Sequence, residues 1–363
     1  FKVFSMATDK LLAKGLVERI GQANKDAELS YKNLVNNTEL QKKIVAKDHS
    51  EALHSILELF IDKEYGFLES INDLIAVGHR VLHGKDVYHD ATLITKEVIE
   101  LLKTYIDLGP LHMPPNIAGI EACMKILPDK PMVAVFDTSF HQTMPPEAYI
   151  YGVPYEYYTG LGIRRYGFHG TSHKYVANKT AEVMKKDLKD LNLITMHLGN
   201  GASITAIKHG KVIDTSMGFT PLEGIMMGTR CGDLDPAIVP FLMNKLSCTW
   251  SEIDNWLNKK SGMLGISGIS NDMRDIIEHK NAGNERAQLA YNVFVYRIVK
   301  YIGAYYAAIN EKLDGLVFTA GIGENCIEVR ADVCNRLKIL GVKLDAEKNA
   351  VISNMPRIIS AND

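Results

Sequence analysis

Short apolar runs that break off into polar or glycine-rich loops recur along this chain, and they constrain its fold more than any other feature. DLIAVGHRVLHG (73–84), PMVAVFDTSFH (131–141), LITMHLGNG (193–201) and LVFTAGIGEN (316–325) each read this way. An apolar run of this length, bounded by turn signals, suits a strand buried on both faces. Between the runs the apolar spacing turns helical, predicting helices over 38–63, 96–102, 116–127, 172–186 and 285–313. The last has Ala290, Val293, Phe294, Ile298, Tyr301, Ile302 and Tyr305 on one stripe, a candidate subunit surface or plain core. Residues 1–20 alternate as strands around Asp9-Lys10, and 193–215 read as strands around Asn200-Gly201 and His209-Gly210. Strands alternating with helices give an α/β layered class.

With 363 residues the chain exceeds the size at which one core stops growing, so two domains are expected. The Pro- and aromatic-rich stretch from Met144 to Gly170 breaks all periodicity and places the boundary near 142–150. The 41 basic and 43 acidic residues are spread through the chain and nearly cancel, which gives no footprint for nucleic acid or an anionic membrane. No apolar run approaches the ~20 residues that span a bilayer. Cysteines at 123, 231, 248, 326 and 334 form no CxxC pair and an odd set, so they read as reduced thiols in a cytoplasm. The first residues, FKVF, resemble the middle of a strand, and IISAND stops just after an apolar stretch; both ends look cut.

Loops with chemistry follow the breaks: His79-Arg80 to His83, Asp137 with His141, Arg164-Arg165 to His169 and His173, and Arg230 to Asp235. Any one alone reads better as a solvated loop, and Asn200-Gly201 alone as an ordinary hairpin. Together they suit neither a zinc enzyme, since HExxH is missing, nor a GxSxG hydrolase. Arginines that neutralise phosphoryl oxygens, a strand-end carboxylate near magnesium and bare main-chain turns fit phosphoryl transfer. Neither a Walker A sequence nor GxGxxG occurs, so the phosphate loop belongs to another fold.

GHRVLHG, PLHMPPN, VFDTSFHQTMP, RRYGFHGTSH, HLGNGAS, GTRCGDLDP, SGISNDMRD and TAGIGEN stand in the order and spacing of the acetate kinases. The resemblance spans nearly the whole chain. It implies two duplicated actin-like (ribonuclease H-like) domains, 1–145 and 146–363, with mixed sheets flanked by helices and a nucleotide cleft. It also implies reversible, Mg²⁺- or Mn²⁺-dependent transfer from ATP to acetate, giving ADP and acetyl phosphate, in a cytoplasmic homodimer. A propionate or butyrate kinase of the same family, or a nucleotide-binding module without turnover, are the competing readings.

Residue by residue, the resemblance assigns catalysis to Asp137, His169 and Arg230, with Asp137 organising the metal indirectly. Arg80, Leu82, His112 and Phe168 resemble the acetate site. His197, Leu198, Gly199, Asn200 and Gly201 resemble the phosphate turn. Asp272, Met273 and Arg274, with Gly321, Ile322, Gly323, Glu324 and Asn325, resemble the adenosine pocket. The family's opening phosphate turn and its magnesium glutamate have no match within residues 1–363. Two positions depart from the usual pattern: Leu82 stands where a valine often lines the acyl pocket, and Cys231 replaces the serine of GTRSGD and reads as an inert thiol.

Overall fold

The computed structural model describes residues 1–21, 26–110, 112–353 and 355–361. Leu111 of the PLHMPPN motif and the last two residues of IISAND lie outside them. The described residues divide into two compact units, one of 1–83 with 91–135, the other of 84–90 with 136–363.

The first unit opens with an antiparallel meander of β1 (Lys2–Ser5), β2 (Lys10–Glu18), β3 (Ala27–Asn33) and β4 (Thr38–Ile44) in that spatial order. Helix α1 (His49–Phe60) follows, capped by Asp48, whose side chain accepts the Glu51 N–H at 2.9 Å. The helical reading of 38–63 is thus half wrong, since its first seven residues are a strand. β4 is an edge strand carrying Glu39, Lys42 and Lys43, charges that blunt an open edge and, with Gln41, mimic a helix composition.

A three-stranded sheet follows in the order β5 (Val77–Val81), β7 (Met132–Phe136) and β6 (Thr92–Leu93), with helices α2 (Lys96–Lys103) and α3 (Met113–Ile126). β5 ends at Val81, so Arg80 and Leu82 do not share a strand face: Arg80 is exposed and Leu82 is buried. α3 begins three residues before the spacing predicts. Pro114 and Pro115 occupy its first turn, where a missing N–H costs nothing.

The second unit runs α4 (Pro146–Tyr149), α5 (Tyr155–Leu161), α6 (Gly170–Met184), then β8 (Leu193–Leu198), β9 (Ala202–Lys208) and β10 (Lys211–Thr215). Helices α7 (Ile238–Leu246), α8 (Trp250–Lys259), α9 (Gly262–Ser267), α10 (Met273–Asn281) and α11 (Glu285–Ile309) lead to β11 (Gly315–Thr319). The chain continues through α12 (Ala320–Asn325), α13 (Ile327–Arg336) and α14 (Ala346–Ala350). Its mixed sheet has the order β10-β9-β8-β11, with β11 parallel to β8 and the other pairs antiparallel. Leu193, Ile194, Met196 and Leu198 of β8 are wholly buried, each worth about 1.5–3 kcal/mol. The α11 stripe packs against β9 and β10, which makes it core rather than a subunit surface. The glycine stretch after β11 is a short helix, not a turn. No described helix is long and apolar enough to cross a membrane.

Candidate active site

β8 and β11 lie side by side and parallel, with His197 opposite Thr319, so the glycine loop after β8 and the start of α12 after β11 emerge together. That edge is where α/β sheets offer a crevice to ligands. Gly199, Asn200 and Gly201 span from Leu198 to its partner Ala202, and the Gly199 N–H donates to the Gly201 carbonyl at 3.1 Å. None of the three has a positive φ. What the loop needs is room: a Cβ on Gly201 would lie 2.8 Å from Arg230 Nη2 and 3.5 Å from His169 Nε2. The Asn200 carbonyl accepts the Gly228 N–H at 3.0 Å, and its Oδ1 accepts from Asn271 Nδ2 at 2.9 Å.

His169 precedes α6 in a left-handed conformation, φ 57° and ψ 20°, a strained choice for a residue with a side chain. Asp137, almost wholly buried just after β7, accepts the His169 N–H at 3.3 Å on Oδ2 and the Gly170 N–H at 2.9 Å on its carbonyl. Gly170 is required because a Cβ there would strike that carbonyl. The His169 ring stacks on His197 with centroids 4.1 Å apart, and His197 Nδ1 lies 2.8 Å from Ser172 Oγ. Behind them His141 bonds the Phe168 carbonyl at 2.9 Å, and burial pulls its pKa down to about 4. Phe168 is itself wholly buried.

Arg230 donates through Nη1 to the Pro221 carbonyl at 2.8 Å and has no carboxylate ion pair among the described residues. Burial lowers its pKa, the mark of a guanidinium desolvated without a counter-charge. Arg165 contrasts with it, bound to Glu223 at 2.7 Å. The Arg230 loop is fixed by Asp233, which accepts the Gly224 N–H at 2.9 Å and the Tyr301 hydroxyl at 2.6 Å. Burial pushes the Cys231 thiol up to about 11, consistent with an unreactive side chain.

A cavity of about 710 Å³ opens beside these loops, lined among others by Gly199, Asn200, Asp272, Met273, Arg274, Gly321, Ile322 and Asn325. Asp272 caps α10 and holds Arg274 through paired bonds, the shortest at 2.6 Å. Exposed Glu324 folds back to accept from Thr319 Oγ1 at 2.8 Å and the Ala320 N–H at 3.1 Å, which ties down the first turn of α12. Gly323 is buried within α12, and buried Arg330 donates to its carbonyl and to that of Glu324 at 3.0 and 2.7 Å. Asn271, Ile277, Cys326, Ile327 and Glu328 also line the cavity. Sequence reasoning missed them; all lie within or close to the quoted motifs, which is the signal that points to them.

Of the remaining candidates, Arg80, Leu82 and His112 belong to the first unit. Leu82 is 6% exposed, borders Gly109 and gives its N–H to Asn116 Oδ1 at 3.0 Å, while His112 is exposed at the start of α3. Among the described residues no three His, Cys, Asp or Glu converge as a metal cage. A divalent cation held mainly by nucleotide phosphates, with one carboxylate such as Asp137 nearby, needs no such cage.

Residues 1–363 match the sequence model of the Acetokinase family. The acetate kinase of Halothermothrix orenii is 52% identical over 349 residues, covering 96% of this chain and 87% of that protein. The acetate kinase of Clostridium kluyveri is 50% identical over 366 residues, covering 100% of this chain and 88% of its own. Among solved structures, Porphyromonas gingivalis acetate kinase superposes with a TM-score of 0.93 at 42% identity, covering 99% of this chain and 89% of that one. A propionate kinase from Francisella tularensis follows with 0.89 at 40%, covering 96% and 87%. A glycine loop and a glycine-rich helix at the ends of paired strands, an arginine without a counter-charge and collinear motifs along the sequence agree with those likenesses, and the chain belongs to the acetokinase family.

Proposed function

We propose that this chain catalyses reversible transfer of the γ-phosphoryl group of ATP to acetate, giving ADP and acetyl phosphate by direct in-line displacement. One observation carries the reading: Arg230 Nη2 and His169 Nε2 converge within 3.5 Å of the place where a Gly201 side chain would stand, beside the cavity of about 710 Å³. Two donors and a bare main-chain loop at one point make a preorganised anion site. That is what a transferring phosphoryl group requires.

In this reading His197 to Gly201 meet the phosphates, and the cavity residues Asp272 to Arg274 and Gly321 to Asn325 hold the nucleoside. For the acetate end the candidates are Arg80, whose guanidinium suits a carboxylate, with Leu82 and His112 in the first unit, and Phe168 in the second. Asp137 would be the carboxylate on hand for a divalent cation brought by the nucleotide, which would supply positive charge to the phosphates. We place the protein in the cytoplasm, which suits its five free thiols, and as a homodimer.

The test is trapping of the acyl phosphate by hydroxylamine, with ATP and acetate, and with propionate in parallel. ATP-dependent acetohydroxamate is expected; its absence from active, ATP-binding protein sinks the reading, and faster turnover of propionate moves it to the neighbouring substrate. His169→Gln should keep partial activity, because an amide N–H still donates. A radiolabelled phosphoenzyme at His169 would instead establish a covalent route.

A further inference from the structure

Ser203 lies between two imidazoles. Its Oγ is 2.8 Å from His169 Nδ1 and 2.8 Å from His173 Nε2, and His173 Nδ1 is in turn 2.7 Å from Thr195 Oγ1. Thr195, His173 and Ser203 are all wholly buried. The local fold explains the alignment. Thr195 stands on β8 and Ser203 on β9, opposite His197, while His173 falls one turn beyond His169 on the same face of α6.

A hydroxyl carries one proton, and a neutral imidazole has one N–H and one bare nitrogen. His173 is enclosed with His141, His169 and His197 around it, and burial and those imidazoles hold its pKa well below the usual range. It therefore contributes a single N–H. With the Ser203 proton spent within the chain, two polarities are self-consistent. In the first, Thr195 O–H donates to His173 Nδ1, His173 Nε2–H to Ser203 Oγ, and Ser203 O–H to His169 Nδ1. The proton of His169 then sits on Nε2. In the second every bond reverses and Nε2 presents a lone pair. Nε2 faces the same point as Arg230 Nη2, where a lone pair would repel the anion that the guanidinium attracts.

We propose that Thr195, His173 and Ser203 form a relay that locks His169 in its Nε2–H tautomer, so that the ring presents a fixed donor to the transferring phosphoryl group. The three are positioning residues. The inference rests on the reading of His169 as a phosphoryl donor, but the tautomer is observable without turnover.

The experiment uses the full chain labelled with ¹⁵N-histidine. Long-range ¹H–¹⁵N correlation reads the ring tautomers, His169→Gln assigns the His169 signals, and the hydroxamate assay gives kcat and the KM for ATP. Wild type and Thr195→Ser should show His169 as Nε2–H. Ser203→Ala and the near-isosteric Thr195→Val should show a mixture of tautomers. Their kcat should fall roughly tenfold, below the ~10²–10³ lost when a donor is removed outright, with the KM for ATP unchanged. A His169 that keeps Nε2–H in folded Ser203→Ala and Thr195→Val overturns the relay. A tautomer that shifts while kcat holds supports the relay and removes His169 from phosphoryl transfer.

Discussion

Strand β9 is bordered by two chain reversals that look alike in sequence, Gly-Asn-Gly before it and His-Gly after it. At the far end His209 and Gly210 form a two-residue loop between paired Lys208 and Lys211, with φ of 50° and 75°. These are the left-handed dihedrals that a tight hairpin demands. At the near end Gly199, Asn200 and Gly201 bridge Leu198 and Ala202 without one positive φ. Gly210 is there for its own backbone; Gly201 is there because Arg230 and His169 approach it. A glycine kept for conformation serves folding, and one kept for approach serves a site.

The sharpest way to break the contrast is to empty the anion site. Arg230→Ala should lower kcat by roughly 10²–10³ with little change in the KM for ATP, and unchanged turnover of acetate would remove Arg230 from the mechanism. Next comes Gly201→Ala. Its Cβ would sit 2.8 Å from the guanidinium and displace it, and misplacement on the scale of ~1 Å costs up to about 10²-fold in rate. Melting temperature should barely move, since Gly201 has no positive φ for a side chain to strain; a large fall in Tm with normal kcat would reverse the assignment.

Gly210→Ala should do the opposite. A side chain at φ 75° costs roughly 1–2 kcal/mol, which calorimetry would read as a Tm lower by a few degrees, while kcat stays at the wild-type value. Smallest is His209→Asn, which exchanges an exposed contact with Glu311 at 2.9 Å for a residue better suited to the left-handed position. Stability should stay within about 0.5 kcal/mol of wild type. A loss of activity in either variant would mean that the outer hairpin also serves the site.

Much of the framework is legible in the sequence because apolar runs and their breaks are local signals. LITMHLG and LVFT become β8 and β11 as expected, and the stripe of α11 is the face it buries. The misreadings arise where a local signal serves two purposes. Thr38–Ile44 is a strand whose charged residues protect a sheet edge while having good helix propensity. Pro114 and Pro115 look like a loop but open a helix. At the site, motif order points to His169, Arg230 and the glycine loop. The pairing of Ser203 with two histidines depends on β8–β9 register and α6 docking, which no linear spacing encodes.

The left-handed backbone of His169 has a consequence for how this position responds to mutation. Glycine or asparagine would relax its φ of 57° and suit the start of α6, yet either would lose the stacked imidazole that faces Gly201. Libraries randomised at 169 and sorted separately for thermal survival and for turnover should therefore rank their winners in opposite order. Position 169 is where selection for chemistry and drift toward a more durable chain pull apart.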